Sequence, residues 1–557
     1  MFAFLAEHRL ELFPAGLFED LFPSRRGRPS LPPEVVASVI VLQALHGLSD
    51  REAVEALTFD LRWKAACGYA VDAAGFHPTA LTVWRKRLAA SDRPQRIFEV
   101  VRDLIAATGA VAGKQRRALD STVLDDAVAR QDTVTQLIAS IRRVAREVPG
   151  AADLVTGAGS VCTRLPALCG QDYTSTGKPP IAWDDDAARE DLVTALVNDA
   201  LALLTALDAL HHQAPSGQPS GQPSGQPSGQ PCGLAVIAEG GGRAAEAVAL
   251  LALVAGQDVE PVEGSDGTDG RWRIARKTAP DRVISTVDPD ARHAHKTQHR
   301  RQDGYKAHVA VEPETGLITD TELTKAAGAE NSDAAVGVDL LARDTTLTRD
   351  TTPTIEPAQP DAEPDAQPDA EPDAEDVVVE VLGDSAYATA AMLVALHLLG
   401  WRPLLKPWPV KTAVPGGFTI DDFVYDPATN TLRCPNQTTR PVSGQGRVSF
   451  GVACRDCPLR ARCTTSNTGR TVLLGEHHQL QREHRRRAED PGFQADYRQH
   501  RPMVERSIAW LTRGNRRVPY RGVDKNNAWL HHRVAGLNLR RLLAMGLTTQ
   551  NGSWVLA

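Results

Sequence analysis

VVVEVLGDSAY, residues 377–387, carries the clearest structural signal in the sequence, an apolar and β-branched run followed by a turn. The run predicts a buried strand that ends at Asp384, in a Gly-Asp-Ser turn. The next residues, YATAAMLVALHLLG (387–400) and WRPLLK (401–406), predict a helix and a second strand. Because active-site residues commonly lie at the carboxyl ends of strands in open α/β sheets, Asp384 is a candidate site residue.

Further strands are predicted on both sides of this stretch. The run RRALDST predicts a short strand that ends at Asp120, and two β-rich runs flank the turn from Glu312 to Gly316, which is a hairpin signal. Asn331 and Ser332 are the candidate caps of a helix that continues to Leu341. Strands and helices in this order predict an α/β fold with inserts.

A long helix is predicted near the C-terminus, from Asp496 to Thr512. Glu505 lies four residues after Arg501 on this helix, so both side chains project from the same side. Asp120, Asp384 and Glu505 would form an oxygen-rich site suited to two Mg²⁺ ions about 4 Å apart. Large proteins have aspartates at many strand ends, so composition alone leaves this hypothesis open.

Residues 1–112 predict a helical domain. Pro32 and Pro33 open one helix, the capping-box sequence SDRE (49–52) opens a second, and Thr79 is the predicted cap of a third. Short helices with a basic outer face are typical of helix-turn-helix DNA binders, although a plain helical packing module has the same pattern. The predicted DNA contacts on the third helix are Arg85, Lys86 and Arg87.

Two low-complexity segments divide the chain. Four SGQP repeats (216–231) form a linker at 215–232 within a mainly helical insert at 126–280, and an acidic, Pro-rich segment occupies 344–376. Both lack the apolar residues that would offset the entropy cost of ordering, so both are predicted to be flexible linkers. Residues 407–475 contain four cysteines and are predicted to be a small insert.

Charge is distributed unevenly along the 557 residues. The formal net charge is −7, but residues 356–376 carry nine acids and no base, and without them it would be +2. Residues 470–541 hold 16 Lys or Arg against 7 Asp or Glu. A basic region of this kind favours a polyanion partner, and a solvated surface is the alternative that charge alone leaves open.

The sequence has neither a long apolar run nor an N-terminal export signal. We therefore predict a cytoplasmic protein with no membrane partner and with reduced thiols.

Several runs resemble those of DDE-type insertion-sequence transposases with an RNase H-like core: LDSTVLDDAV (119–128), DPDAR (288–292), DGYKAHVAVEPETGLIT (303–319), VLGDSAY (381–387) and YRQHRPMVERSIAWLTR (497–513). Residues 31–57 and 78–88 resemble the helical domain that opens many of these transposases. The resemblance implies that Asp120, Asp384 and Glu505 are the catalytic triad.

The resemblance also implies a fold and an activity. The fold is an RNase H-like mixed sheet flanked by helices, with its core at 113–125 and 281–545. The activity is metal-dependent DNA cleavage and strand transfer, by which a bacterial transposase moves its own insertion sequence with the help of two Mg²⁺ or Mn²⁺ ions. The partners are the terminal inverted repeats, target DNA and a second copy of the chain in a synaptic complex. A stand-alone RNase H-like nuclease and a transposase-derived DNA-binding regulator without catalysis are the alternatives.

The cysteines fall into two groups. Cys454 and Cys457 form a CxxC pair between Cys434 and Cys463, and four thiolates of this kind can close a tetrahedral zinc site. Their irregular spacing leaves buried or unligated thiols as the alternative. The scattered cysteines, Cys67, Cys162, Cys169 and Cys232, are predicted to be structural.

Further DNA contacts are predicted in the basic C-terminal region, at Arg501, Arg513, Arg516, Arg517 and Arg521, with Arg506 less well placed because it neighbours Glu505. His531 and His532 are predicted to face DNA or solvent. His293, His295 and His299 lie among basic residues, so a phosphate-facing loop is favoured there over a metal site.

Overall fold

The computed structural model describes residues 1–23, 30–156, 173–174, 178–212, 242–277, 279, 281–295, 301–347, 378–514 and 516–557. The SGQP linker, most of the acidic segment, three of the scattered cysteines (Cys162, Cys169 and Cys232) and His299 lie outside these residues.

Helices make up most of the described secondary structure. They are Phe2–Leu12, Pro33–His46, Asp50–Phe59, Leu61–Cys67, Thr79–Ala89, Arg96–Ala107, Thr133–Glu147, Ala151–Thr156, Asp186–His212, Arg243–Gln257, Asp333–Arg343, Ala390–Leu398, Arg460–Cys463, His478–Ala488, Pro491–Leu511 and Val523–Ala544, with 3₁₀ turns at Ala15–Leu21, Ile420–Asp422 and Gly451–Cys454. We refer to Asp333–Arg343 as the Asp333 helix and to Pro491–Leu511 as the Glu505 helix.

The strands are β1 (Arg116–Asp125), β2 (Val259–Pro261), β3 (Trp272–Ile274), β4 (Arg292–His295), β5 (Arg301–Val311), β6 (Ile318–Lys325), β7 (Glu380–Gly383), β8 (Arg402–Leu405), β9 (Val424–Asp426), β10 (Thr431–Arg433), β11 (Thr439–Pro441), β12 (Arg447–Ser449), β13 (Thr471–Leu473), β14 (Leu547–Gln550) and β15 (Ser553–Leu556).

A mixed sheet forms the centre of the α/β fold. Its strand order is β5-β1-β7-β8, and β4 and β6 both pair with β5. β5 is antiparallel to β1 and β6, whereas β7 is parallel to β1 and β8. β7 pairs only with residues 116–118 of β1, so the rest of that edge of β1 lies beyond the end of β7.

Asp120 lies in the middle of β1 and not at the end of a strand, which corrects the prediction. β1 continues to Asp125, which pairs with Gly304 of β5. Gly304 has a φ of 149°, and a Cβ there would lie 2.1 Å from the Leu124 carbonyl oxygen. A glycine at this position therefore allows β5 to follow β1 to its end.

Apolar side chains cover the two faces of the sheet separately. Ala118, Leu124 and the odd-numbered residues 305–311 join the core that also contains the N-terminal helices and the Val523–Ala544 helix. Leu119 and Ala310 pack on the other face, against the Asp333 helix and the Ala390–Leu398 helix. The sheet is thus a central layer between two layers of helices.

Two smaller units have apolar clusters of their own. The helices Thr133–Glu147, Asp186–His212 and Arg243–Gln257 pack together beside the hairpin of β2 and β3. Within residues 407–475, the three-stranded sheet of β9 to β11 and the hairpin of β12 and β13 enclose Phe423, Phe450 and Cys463.

Several local predictions are confirmed. Ser49 and Glu52 form the capping box of the Asp50–Phe59 helix. Ser332, one of the two candidate caps, accepts a hydrogen bond from the Ala335 N–H group. β5 and β6 form the predicted hairpin, and β7 and β8 are the two predicted strands around Asp384.

Two helix starts differ from the prediction. Thr79 lies inside its helix and does not cap it, and its hydroxyl contacts the His77 ring at 2.8 Å. The mainly helical insert predicted from residue 126 has its first helix only from Thr133, because the Asp126 N–H group donates to the Asp303 carbonyl and extends the β1–β5 pairing.

Among the helices of the described ranges, none is both long and apolar enough to span a membrane.

Candidate active site

Three separate elements bring the predicted catalytic carboxylates to one cavity. Asp120 comes from β1, Asp384 from the turn after β7, and Glu505 from the Glu505 helix. The cavity has a volume of about 660 Å³. Among the residues that line it are also Thr122, Lys306, Asp333, Trp408 and Arg501.

Asp120 is held on two sides. One carboxylate oxygen accepts the Ser121 N–H at 2.8 Å, and the other lies 3.1 Å from an Arg501 nitrogen. Burial raises the pKa of Asp120 above its ordinary value, against the lowering effect of Arg501, and the charge of Asp384 raises it further. A buried carboxylate of this kind is stabilised in its charged form by a cation.

Asp384 lies in a tight turn. Its carboxylate accepts the Ala386 N–H at 2.9 Å, and its backbone carbonyl accepts the Tyr387 N–H. A Cβ on the preceding Gly383 would lie 2.9 Å from Tyr387 Cβ and from the Leu405 side chain. The glycine therefore lets Tyr387 pack under the turn that presents Asp384.

Glu505 is the most exposed of the three carboxylates, with 66 % of its side chain accessible. It lies one helical turn after Arg501, and its Oε1 is 4.0 Å from Arg501 Nε. This exposure leaves Glu505 free to change rotamer.

Arg501 is buried, although the sequence predicted a DNA contact. Its guanidinium donates to the Leu119 carbonyl at 2.5 Å and pairs with Asp120. Burial lowers the pKa of Arg501, but Asp120, Tyr497, Asp384 and Tyr387 all raise it, and together they leave the pKa above its ordinary value. This arrangement argues against a phosphate contact, since the guanidinium is engaged inside the protein.

Two charged residues of the cavity were missed by the sequence patterns. Lys306 lies on β5 in register with Val123 of β1, and its Nζ is 3.4 Å from the carboxylate of Asp333. Asp333 is the first residue of its helix after the Ser332 cap. The sequence predicted the hairpin that contains the DGYK run. It did not predict the strand register that places Lys306 beside β1.

The carboxylates suit a hard cation by their chemistry. Asp and Glu oxygens are the ligands that Mg²⁺ prefers, and the three predicted carboxylates, Asp120, Asp384 and Glu505, line one cavity. As they stand, no three His, Cys, Asp or Glu side chains among the described residues are arranged to hold a metal ion. A metal at the cavity would therefore require movement of a side chain, for which Glu505 has the freedom.

The four cysteines of residues 407–475 surround one small cavity. Cys434, Cys454, Cys457 and Cys463 all line it, and its volume is about 20 Å³. Such a space holds about one water-sized particle. Burial raises the pKa of the Cys463 thiol, Arg470 lowers it, and the other three cysteines raise it.

The predicted DNA contacts on the Thr79–Ala89 helix differ in their surroundings. Lys86 and Arg87 are exposed. Arg85 is half-buried, pairs with Asp50 at 2.5 Å and lies over the Tyr520 ring. The prediction that Arg85 faces outward is wrong, because its side of the helix packs against the C-terminal part of the chain.

The predicted contacts near the C-terminus lie beside the end of β1. The backbone carbonyl of Arg516 accepts the Asp125 N–H, and the Arg517 side chain donates to the Asp126 carbonyl. Arg516 is half-buried. Arg513, Arg517, Arg521 and Arg506 are exposed.

The predicted histidine positions are corrected in part. His531 and His532 are buried, and His531 bonds to the Asn527 carbonyl, so neither faces DNA or solvent. His293 is paired with Asp303.

Two protein families match the chain. The family described as Transposase domain (DUF772) matches residues 4–87, and the family described as Transposase DDE domain matches residues 427–543, which include Glu505. No curated protein matches the chain, and no solved structure does so. The two family matches support the assignment of this chain to the DDE-type insertion-sequence transposases.

Proposed function

We propose that this transposase cleaves DNA and transfers the strand ends of its own insertion sequence, with Asp120, Asp384 and Glu505 as its catalytic carboxylates. The observation that carries the proposal is the convergence of these residues, from three separate elements, on one cavity. The two family matches support a DNA-cutting enzyme in general.

We further propose that the central sheet is the RNase H-like core. Its support is the strand pattern: β1, β5 and β6 form an antiparallel meander, and β7 and β8 add in parallel to the other edge of β1. Residues 1–112 would be the DNA-binding helical domain and residues 407–475 a cysteine-bearing insert.

Asp120, Asp384 and Glu505 would hold two Mg²⁺ or Mn²⁺ ions, which activate a water or a DNA 3′-hydroxyl and stabilise the leaving oxygen when bound. Arg501 orients Asp120 and favours its charged form. The turn after β7 fixes Asp384, while Glu505 remains free to rotate toward the cavity. The protein thus supplies two positioned carboxylates and one adjustable carboxylate.

DNA would approach over the exposed cations. In the N-terminal domain these exposed cations are Lys86 and Arg87. Near the end of β1 they are Arg513, Arg517 and Arg521. Such contacts to phosphates supply most non-specific affinity. Joining of two transposon ends would further require a homodimer.

The four cysteines of the insert would bind one structural Zn²⁺. Two observations support this proposal. The four cysteines line one cavity with room for a single ion, and the other three cysteines raise the pKa of the Cys463 thiol. Metal binding would draw the sulfurs inward and deprotonate them.

A cleavage and joining assay tests the function, using labelled DNA from both flanks of the gene with Mg²⁺. Wild-type protein should cut at the element ends and join them to target DNA, and Asp384→Asn should bind the DNA but do neither. Asp339→Asn, at an exposed aspartate of the Asp333 helix, is the matched control and should keep full activity. Cleavage without joining would favour a nuclease, and binding without cleavage by wild type would favour a regulator.

A further inference from the structure

Lys306 and Asp333 form an ion pair within the carboxylate cavity. Nζ of Lys306 lies 3.4 Å from Oδ2 of Asp333, and their side chains are 19 % and 15 % exposed. Both residues line the cavity together with Asp120, Asp384 and Glu505. The cavity therefore has a fourth carboxylate with a lysine beside it.

This ion pair is loosely made. A charge-assisted N–H···O bond is usually about 2.8 Å long, so 3.4 Å is a weak contact. Oδ1 of Asp333 has no hydrogen-bond partner, and its neighbour at 3.5 Å is Nδ1 of His308. Burial lowers the pKa of His308 to about 3, so the ring is neutral and brings no charge to Asp333.

Other polar atoms nearby also lack partners. The hydroxyl of Tyr387 and Oγ1 of Thr122 are buried without a hydrogen bond, and Thr122 lines the cavity. Burial, and then the charges of Asp333 and Asp120, raise the pKa of Tyr387 well above its ordinary value, so it keeps its proton. Because unpartnered buried polar atoms are costly, Oγ1 of Thr122 and Oδ1 of Asp333, both on residues that line the cavity, favour a polar ligand there.

The charged residues that line the cavity indicate the chemical class of this ligand. Of the described residues that line the cavity, the cations are Lys306 and Arg501. Arg501 is engaged with Asp120 and Leu119, whereas Lys306 has three N–H donors and, among the described residues, the weak 3.4 Å contact to Asp333. An anion that enters between four carboxylates requires such a cation.

We propose that Lys306 binds a phosphate of the DNA strand that enters the cavity, and that Asp333 holds Lys306 in place until the DNA arrives. The identity of the ligand as DNA rests on the proposed function. Asp333, in this role, is a positioning residue that acts through Lys306. Removal of Lys306 should then weaken DNA binding, whereas removal of Asp333 should strengthen it.

Binding without catalysis provides the test, with a fluorescent random-sequence duplex in EDTA and affinity measured against salt concentration. Lys306→Gln should weaken binding severalfold and reduce the salt slope by about one, as expected for one lost phosphate contact. Lys306→Arg should retain most of the affinity. Asp333→Asn should tighten binding, because it frees Lys306 and removes a repelling charge.

A double-mutant cycle separates this contact from general charge effects. Asp333→Asn should tighten binding far less in a Lys306→Gln background than in a background of Lys525→Gln, which removes an exposed charge from the Val523–Ala544 helix. Unchanged affinity in Lys306→Gln, or equal tightening in both backgrounds, would overturn the proposal. Thermal unfolding of each variant checks that the chain remains folded.

The binding test also distinguishes the two proposals. If wild-type protein cleaves no DNA but the opposite effects on binding persist, the proposed function fails and the phosphate site stands. If wild type cleaves and joins DNA while the variants bind alike, only the Lys306 contact is refuted.

Discussion

Arg501 and Asp120 form the pair around which the candidate active site is arranged, with a guanidinium nitrogen 3.1 Å from the carboxylate. The same guanidinium donates to the Leu119 carbonyl, so it fixes the strand and the side chain together. Its Nε lies 4.0 Å from Glu505. Arg501 thereby links β1 to the Glu505 helix across 382 residues of sequence.

Replacement of Arg501 should damage both stability and activity. Arg501→Gln leaves Asp120 buried without its cation, and loss of one partner of a buried pair costs about 3 kcal/mol of unfolding free energy. We expect DNA cleavage to fall by more than the folded fraction does. Denaturant unfolding and cleavage rates measure the two effects, and Arg498→Gln, on an exposed part of the same helix, should show neither.

Asp126 should make stability depend on pH. Burial raises the pKa of Asp126 to about 6, so the folded state binds this proton more tightly than the unfolded state. Stability due to this group is therefore highest below about pH 4 and falls as pH rises to about 6, by about 1–2 kcal/mol after allowance for partial solvation. Asp126→Asn should remove this fall in urea unfolding between pH 4 and 7, and Asp125→Asn should retain it.

The insert should bind one zinc ion per chain. Protein purified without chelator should contain it, and Cys457→Ser should lose it because three thiols close the site poorly. Cys67 is buried in the core of the N-terminal helices and does not line the cavity of the four cysteines, so Cys67→Ala should leave the zinc content unchanged. Metal analysis and thiol-reagent kinetics are the measurements. Equal thiol reactivity with and without added zinc would contradict the site.

The exposed arginines should contribute to DNA affinity without sequence preference. Arg513→Ala and Arg521→Ala should each weaken binding to any duplex and reduce the salt slope by about 0.9. Arg85→Ala should instead lower thermal stability, because Arg85 pairs with Asp50 and lies over Tyr520. If the salt slope were lost only in the Arg85 variant, the proposed DNA path would move to the N-terminal helices.

Local patterns determined much of the secondary structure. The capping box at Ser49, the cap at Ser332 and the hairpin of β5 and β6 follow from residues a few positions apart, and all three were predicted from the sequence. Runs such as VLGDSAY likewise singled out Asp384 and, through the family resemblance, Asp120 and Glu505. These features can be predicted from sequence because caps, turns and strand alternation depend on residues that are close together along the chain.

Only the tertiary structure decided which charged side chains face the site. The sequence by itself did not distinguish the buried Arg501 and His532 and the half-buried Arg85 from exposed basic residues, nor did it place Lys306 beside Asp333. These outcomes depend on contacts between segments that are far apart in sequence, such as Arg501 with Leu119. Burial and ion pairing depend on which elements pack together, and a local charge pattern does not predict that packing.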